Sequence, residues 1–338
     1  MNKNKKILEA SSDLQNTIIE LDKKKILEEI SSKGKYEEDN ILIKPWEGNS
    51  DNYIIESKKN GAHFIGILNG HLERNGYGIN LFKTGEKYIG YFEQDLPNKN
   101  GIYIWAPIIK GRNIHFECYQ GNWKNNKKEK IGTYIWLKEP LNNKEFDNAD
   151  FDAYVGNFEK DKYTKGTYLS KIKDDYYLYH GGFDKEGKKS DENAFFYSSK
   201  YDRVLKGKIE KDIFVKAYVA FFESDSGEMK NLVHCTFDKK GNVENIVLMN
   251  DLDEDEKNKE EKDIAQFRSV ILEIDYFGNI YEQFHNIKDF IRDNVDNAGS
   301  IDVFEDGNKF PKLMKLCGKQ GENNIFKNIE KQPFIKKK

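Results

Sequence analysis

The sequence contains little of what usually marks a secreted, membrane-spanning or metal-binding protein. Its 338 residues include three widely spaced cysteines, Cys118, Cys235 and Cys317, and no CxxC pair. This pattern argues against a zinc ribbon or a disulfide framework and is typical of a reducing compartment. The amino terminus lacks the long apolar core of a signal peptide, and no run approaches the roughly 18 apolar residues of a membrane-spanning helix. We therefore expect a cytoplasmic protein without a membrane segment.

Charge and catalytic motifs exclude further classes. Charged residues make up 33% of the chain, but the formal net charge is only −3, so there is no basic bias of the kind that binds nucleic acid. No HExxH, GxSxG or dinucleotide-binding motif occurs. The segment Gly182–Lys188 has the glycine spacing of a phosphate loop, but Lys189 replaces the magnesium-binding Ser or Thr. We expect no enzyme, no metal, no cofactor and no nucleic-acid partner.

Aromatic residues are abundant, at 13% of the chain, and they recur with glycine in paired groups. Residues 88–92 (YIGYF) are followed by 101–105 (GIYIW), and residues 119–123 (YQGNW) by 132–136 (GTYIW). About six such pairs follow one another between residues 62 and 222. The motif positions are Phe64, Gly66, Gly76, Gly78, Tyr88, Gly90, Gly101, Tyr103, Tyr119, Gly121, Trp123, Gly132, Tyr134, Tyr154, Gly156, Phe158, Gly166, Tyr168, Tyr179, Gly181, Phe183 and Gly207.

Each half of a pair alternates apolar and other residues with period two, which predicts a β-strand. The polar link of about six to eight residues between the halves predicts a hairpin loop. A single hairpin is marginally stable in water, so we expect the hairpins to stack on one another. Glycine inside a strand permits close approach, and we expect an aromatic ring of the adjacent strand to lie over it.

The paired motif resembles the MORN repeat (membrane occupation and recognition nexus), and the resemblance covers residues 62–222. It implies a mainly β fold: an elongated, single-layer antiparallel ribbon of hairpins. It also implies a role in assembly, because MORN proteins serve as scaffolds in ciliary axonemes, including radial spokes, and in the cortical cytoskeleton of protists. Binding to acidic phospholipids has also been attributed to the repeat.

The segments outside the array have their own patterns. We expect a degenerate hairpin or cap after the array and α-helices on both sides of it. The acidic run before the second helix indicates a solvated loop or a helix start. The expected divisions are an N-terminal helix at 1–34, an irregular lead-in at 35–60 with room for a short strand at 52–57 (NYIIES), the array at 62–222, the cap at 223–252, an acidic linker at 253–263, an amphipathic helix at 264–294 and an extended tail at 295–338.

The two helices carry apolar stripes that must be covered. The sequence leaves open whether each packs on the repeats, on a partner or, as a short coiled coil, on a second copy of the chain. Either of the last two would make a homo- or hetero-oligomer. The candidate interface residues are Ile7, Leu14, Ile18, Leu21, Ile264, Phe267, Ile271, Ile274, Tyr281 and Phe284.

Three functions remain open at this point. The first is a non-catalytic scaffold that binds other proteins of a multi-subunit cytoskeletal assembly, in a cilium or at the cell cortex. The second is a peripheral module that binds anionic membrane lipid through basic hairpin tips, such as those within 123–130 and 162–173. The third is the regulatory subunit of a separate enzyme. We favour the scaffold because the chain combines a repeat array with apolar helices and lacks a catalytic constellation.

Overall fold

A computed structural model describes residues 23–38, 41–46, 49–57, 63–82, 86–105, 117–138, 150–223, 226–248 and 253–273. The expected interface residues Ile7, Leu14, Ile18, Leu21, Ile274, Tyr281 and Phe284, and the tail at 295–338, lie outside these ranges. The described chain is mainly β and antiparallel, which confirms the expected class. It forms two compact units, which divide between Lys128 and Glu129.

The first unit opens with a helix and continues as a series of strands. Helix α1 (Lys23–Lys33) ends at Gly34, which has a φ of +74° and whose N–H bonds to the carbonyl oxygen of Ile30. From β1 to β8, each strand pairs antiparallel with the next. The strands are β1 (Tyr36–Glu38), β2 (Ile41–Trp46), β3 (Asn49–Ser57), β4 (His63–Leu68), β5 (Arg74–Leu81), β6 (Lys87–Glu93), β7 (Leu96–Trp105) and β8 (Glu117–Lys124).

The second unit repeats this plan and ends in a helix. It takes in all but the first two residues of β9, and antiparallel pairing again runs from each strand to the next. Its elements are β9 (Lys127–Leu137), β10 (Phe151–Glu159), β11 (Lys162–Ile172), β12 (Asp175–Gly182), β13 (Asp191–Ser198), β14 (Arg203–Glu210), β15 (Ile213–Phe222), β16 (Met229–Phe237), β17 (Val243–Leu248) and helix α2 (Glu254–Glu273).

The expected irregular lead-in at 35–60 is wrong where its described residues form β1 and β2, whereas β3 contains the short strand considered at 52–57. These strands lack the glycine motif, but they continue its register. Tyr36 lies opposite Ile43, Ile43 opposite Ile55, and Ile55 opposite Phe64, the first motif residue. All four side chains are buried. The row of large buried side chains therefore begins before the first recognisable repeat.

The hairpin links are also shorter than expected. Four of the hairpins turn through only two residues, both with positive φ, as in a type I′ turn. The strands therefore include polar residues that the sequence pattern predicts to lie in loops. This turn matches the right-handed twist of the strands it joins, so it holds them in register. The turn pairs are Gln94–Asp95, Asn125–Asn126, Lys160–Asp161 and Lys211–Asp212.

The expected acidic linker at 253–263 is wrong, because helix α2 begins at Glu254. The acidic run forms a helix start, the alternative that the sequence left open. The side chain of Asp253 caps the helix by accepting hydrogen bonds from the backbone N–H groups of Asp255 and Glu256, at 3.0 and 3.3 Å. Acidic residues in the first turn also oppose the positive end of the helix dipole. The acidic run therefore starts the helix instead of preceding it.

Candidate functional site: a groove beside the last hairpins

One face of the sheet in each unit carries the first residue of each repeat, which is aromatic in all but the sixth, where it is Leu205. We call it the tyrosine face. Tyr88, Tyr119, Tyr154 and Tyr179 are almost completely buried there. Each donates its hydroxyl to the backbone carbonyl oxygen three residues further on, at 3.0, 2.9, 3.0 and 2.6 Å. The bond fixes the ring flat over its own strand. Phe64 holds the equivalent position without a hydroxyl.

The motif glycines make room for these rings. Gly90 pairs with Gly101 across β6 and β7, and the ring of Tyr88 lies over both. A Cβ on Gly101 would come within 2.6 Å of the Tyr88 Cζ atom, too close for a real contact. The same clash with the repeat's own aromatic ring would occur at Gly66, Gly78, Gly156, Gly166 and Gly181. The expected ring of the adjacent strand lies over Gly78, Gly101 and Gly166. Over Gly66, Gly90, Gly156 and Gly181 the ring belongs to the glycine's own strand instead.

A second aromatic residue joins each repeat to its neighbour. The aromatic residue four positions after each tyrosine meets that ring edge-to-face, as Phe92 does with Tyr88 at 4.9 Å and Trp123 with Tyr119 at 5.0 Å. It also packs on the ring of the preceding repeat. Phe92 lies 5.4 Å from Phe64 and Trp123 lies 5.6 Å from Tyr88. In the second unit Phe158 and Phe183 meet Tyr154 in these two ways.

The other motif residues pair across the strands with the tyrosines and glycines described above, so that each residue type forms a row across the sheet. The second-strand tyrosines lie opposite first-strand ones, Tyr103 across from both Tyr88 and Tyr119, and Tyr154 across from both Tyr134 and Tyr168. The remaining glycines have cross-strand partners in the glycine row: Gly121 with Gly101, Gly132 with Gly156, and Gly207 with Ala194 and Ala217. Gly76 has a φ of +122° and packs on Ile67.

The array continues past its last recognisable repeat. Val233 takes the tyrosine position, opposite Val219 and Leu248, and Cys235 takes the glycine position, opposite Ala217 and Ile246. The degenerate hairpin or cap expected at 223–252 lies in this stretch. Phe237 keeps the aromatic position of the motif, four residues after Val233, and the centroid of its ring lies 6.2 Å from that of Phe214.

This last part of the tyrosine face is open. In inner repeats the buried tyrosines fill the face, but here apolar side chains reach solvent. Val215 is 38% exposed, Val243 51%, Ile246 58% and Leu248 60%. We call these four residues the terminal apolar surface. Exposed apolar side chains are ordinary when scattered. Ile246 and Leu248 are not scattered, because they stand two residues apart on β17 and so share one face of the strand.

A groove of about 830 Å³, the terminal groove, adjoins this surface. It runs past the ends of the last hairpins, and several of its walls come from segments far apart in sequence. The apolar lining is Ile209, Ile213, Phe214, Val215 and Phe237. Its charged lining is Asp184, Asp191, Glu192, Glu210 and Asp238, with Lys211 and Lys239.

Two equivalent loops carry part of the acidic rim. Asp184 and Asp238 each accept two backbone N–H bonds within their own loop, at 2.8 to 3.0 Å. Hydrogen bonds to the charged form lower the pKa of both carboxyl groups. Asp184 and Asp238 are therefore ionised over the ordinary pH range. Lys208 pairs with both Glu192 and Glu210, at 2.9 Å from each, and so offsets part of the acidic charge.

Helix α2 packs on the opposite face of the second unit. Ile264, Phe267 and Ile271 are buried, and the ring of Phe267 stacks on that of Phe195 with centroids 4.4 Å apart. The described stripe of α2 therefore covers the repeats rather than a partner. Its neighbour His180, whose pKa burial lowers to about 4, is neutral and bonds to Thr167 at 2.9 Å.

Charged contacts fix the position of α2. The Lys206 ammonium lies 2.7 Å from carboxylate oxygens of both Glu260 and Asp263. Arg268 binds Asp202 through two nitrogens, at 3.0 and 2.6 Å. Such bidentate pairing gives a defined geometry as well as energy.

The chain was also compared with known proteins. No protein-family model matches it, and no curated protein is significantly similar to it. In the described residues, no helix combines the length and apolar character needed to cross a membrane.

The basic clusters named from the sequence are only partly used within the fold, and their exposed lysines include Lys124, Lys127, Lys130, Lys162 and Lys173. Lys128 is buried on the tyrosine face, over the rings of Trp105 and Tyr119 at 5.1 and 5.6 Å. Lys171 is buried, and Lys165 lies 3.8 Å from Asp191. These lysines are used within the fold.

The chemistry of the described side chains offers no reactive centre that we recognise. No cluster of three His, Cys, Asp or Glu side chains in the described ranges is arranged to hold a metal ion. Burial raises the pKa of the Cys118 thiol, which keeps it protonated and unreactive. His115, three residues earlier, lies outside the described ranges. What the arrangement offers is a surface for binding.

Proposed function

We propose that this chain is a non-catalytic scaffold that binds another protein through the terminal groove and the terminal apolar surface. The observation that carries the proposal is the exposure of Ile246 and Leu248, at 58% and 60%, on a face whose inner positions are buried. Covering the exposed part of two such side chains contributes roughly 1 to 2 kcal/mol each. A partner gains that energy without any rearrangement of the sheet.

We further propose that the hairpins are a MORN array, a single-layer ribbon with helices at its two ends. The support is the repeated unit itself: a buried tyrosine bonded to the carbonyl three residues on, paired glycines under its ring, and an aromatic residue that reaches the preceding repeat. By that resemblance we place the scaffold in a cytoskeletal assembly, ciliary or cortical. This location is a proposal drawn from the family and not from the geometry.

Lipid binding is the less favoured function. Each of two hairpin tips in the second unit carries a lysine beside an aspartate, at Lys160–Asp161 and Lys211–Asp212, so the charges offset one another. An anionic membrane is attracted to unbalanced clusters of basic residues. These two tips provide alternating signs instead, whereas the tip at Asn125–Asn126 is flanked by the exposed Lys124 and Lys127.

The test compares partner retention by full-length wild type and two variants in native lysate at high salt, with quantitative mass spectrometry. Ile246→Glu/Leu248→Glu places charge on the terminal apolar surface. Ile172→Glu is the matched control, since Ile172 is also exposed, at 41%, but lies away from the groove. We expect a defined protein set to be lost with the double variant and kept with the control. Equal retention by all three, or retention only on anionic vesicles, would refute the proposal.

A further inference from the structure

The described sheet of the second unit ends in a strand with one free edge. Strand β17 (Val243–Leu248) pairs antiparallel with β16, and no other described strand of this unit pairs with it. A strand with one neighbour leaves about half of its backbone N–H and C=O groups pointing off the sheet. From Asn245 to Leu248 the register with β16 is regular, and the register shift lies nearer Val243. This segment therefore presents a regular edge, the β17 edge, to which another strand can bond.

The β17 edge lacks most of the devices that prevent strand pairing. Proteins protect free edges with proline, lysine, very short strands or a covering helix. Strand β17 has six residues with neither proline nor lysine, and Val243, Ile246 and Leu248 are 51%, 58% and 60% exposed. Strand β1 of the first unit shows the protected form. It has three residues, and helix α1 packs on it, with the Lys25 ammonium 6.0 Å from the ring centroid of Tyr36.

The rows of the array define what an added strand must offer. Leu248 stands in the tyrosine row, opposite Val233, and Ile246 stands in the glycine row, opposite Cys235. Both side chains are exposed on the tyrosine face, whereas Val247 is half-buried on the other face. A strand added antiparallel to β17 places one residue opposite Leu248 and its next-but-one residue opposite Ile246. Large apolar residues at those two positions continue the rows and cover both side chains.

Neither the adjoining chain nor a second β17 supplies such a strand. Only residues 249–252 separate β17 from Asp253, which caps α2, and this is too few for a turn and a strand that runs back along the edge. In the register that continues the rows, a second β17 sets Leu248 opposite Leu248. Every other residue of one β17 then lies opposite a residue beyond the end of the other. A strand of different sequence is required.

We propose that the β17 edge binds an extended segment of a partner protein as an added antiparallel strand, in which large apolar residues alternate with polar ones. This proposal rests on the proposed function and specifies how the partner is held at the terminal apolar surface. Main-chain hydrogen bonds to β17 supply the affinity, and the apolar side chains beside Leu248 and Ile246 supply the selectivity. A helix does not fill this place, because its backbone groups are bonded to one another.

The first measurement is fluorescence anisotropy of the full-length protein with two labelled synthetic peptides of equal composition. Apolar and polar residues alternate in the first, Lys-Val-Thr-Ile-Lys-Val-Thr-Ile-Lys, and the apolar residues are adjacent in the second, Lys-Val-Ile-Thr-Lys-Val-Ile-Thr-Lys. We expect measurable binding of the alternating peptide alone. This binding should be lost in Ile246→Glu/Leu248→Glu and kept in the control Ile172→Glu. No binding of the alternating peptide, or equal binding of both peptides, would overturn the proposal.

The second measurement tests whether the main chain makes the contact. Alternate residues of an antiparallel strand direct their N–H and C=O groups to the same neighbour. One version of the alternating peptide therefore carries N-methyl groups on its central isoleucine and valine, and the other carries them on its two threonines. We expect one version to bind at least about tenfold more weakly, because it loses hydrogen bonds to β17, and the other to bind like the parent peptide. Equal binding of the two versions would show that side chains alone make the contact, against the proposal.

Sedimentation of the protein without peptide tests a second copy as the occupant. We expect wild type and Ile246→Glu/Leu248→Glu to have the same mass in solution, and circular dichroism confirms that each variant is folded. A dimer that the double variant dissociates would refute the partner strand.

Partner retention separates this inference from the proposed function. If Ile246→Glu/Leu248→Glu abolishes retention but the two N-methylated peptides bind alike, the scaffold proposal stands and strand addition fails. If the double variant keeps its partners but loses the alternating peptide, the β17 edge accepts strands and the scaffold proposal fails at this site.

Discussion

Replacing Tyr119 with phenylalanine tests the hydrogen bond that recurs at Tyr88, Tyr119, Tyr154 and Tyr179. The hydroxyl donates to the carbonyl oxygen of Asn122 at 2.9 Å, and the ring meets Trp123 edge-to-face at 5.0 Å. The variant removes the bond and keeps the ring. A hydrogen bond contributes about 0.5 to 1.5 kcal/mol net to stability. Asn122 is half-buried, so water partly replaces the donor, and we expect Tyr119→Phe to lower the free energy of unfolding by about 1 kcal/mol.

The assay is urea unfolding followed by tryptophan fluorescence, with Tyr201→Phe as the matched control. Tyr201 is 54% exposed, so removal of its hydroxyl should leave the midpoint near that of wild type. We expect Tyr119→Phe to shift the midpoint to lower urea with an unchanged slope, because the surface exposed on unfolding is the same. Equal midpoints for the two variants would show that the bond adds nothing, and the argument for a repeated hydroxyl contact would be wrong.

Three further predictions follow from the described contacts. Gly101→Ala should lower the free energy of unfolding by about 2 kcal/mol or more, because the added Cβ meets the ring of Tyr88. Gly70→Ala places its Cβ in open space and should change the free energy of unfolding little, and urea midpoints measure both effects. Phe267→Ala should loosen α2 at a cost of about 3 to 5 kcal/mol, detected as faster hydrogen exchange along the helix while the inner strands keep their protection. The pKa of His180 is about 4 in the folded state against 6.5 for an unperturbed imidazole, so the folded form binds fewer protons, and the contribution to stability that is present above pH 6.5 is lost as the pH falls towards 4. The variant His180→Gln should lose this step when urea midpoints are measured against pH.

The strands of the recognisable repeats could be predicted because their signal is local. Alternation with period two defines each strand, and the paired glycines align in the structure as Gly90 with Gly101 and Gly156 with Gly166. The turns could not be predicted in the same way. Lys160 and Asp161 both adopt positive φ, which aspartate tolerates but lysine does not favour, so the strands on either side supply much of the constraint.

The lead-in and the groove show what a single sequence leaves out. Ile43 and Ile55 carry no glycine motif, and they form strands because the neighbouring strand offers them a buried row to continue. The groove combines Asp184, Glu210 and Asp238, which are at least 26 positions apart in the chain and come together only through the register of several hairpins. No local pattern indicates such a site.

The fading of the motif and the opening of the groove have one physical cause. Inner repeats need glycine and tyrosine because the repeat's own ring must lie flat on the sheet and the aromatic residue of the next repeat must reach it. In the last described hairpin, Cys235 and Ile246 stand in the glycine row, where side chains of that size leave no space for a ring to lie flat. The exposed Leu248 is then left beside the groove. A charge placed at Leu248 should therefore weaken binding far more than it weakens folding, whereas a side chain placed at Gly101 should do the reverse.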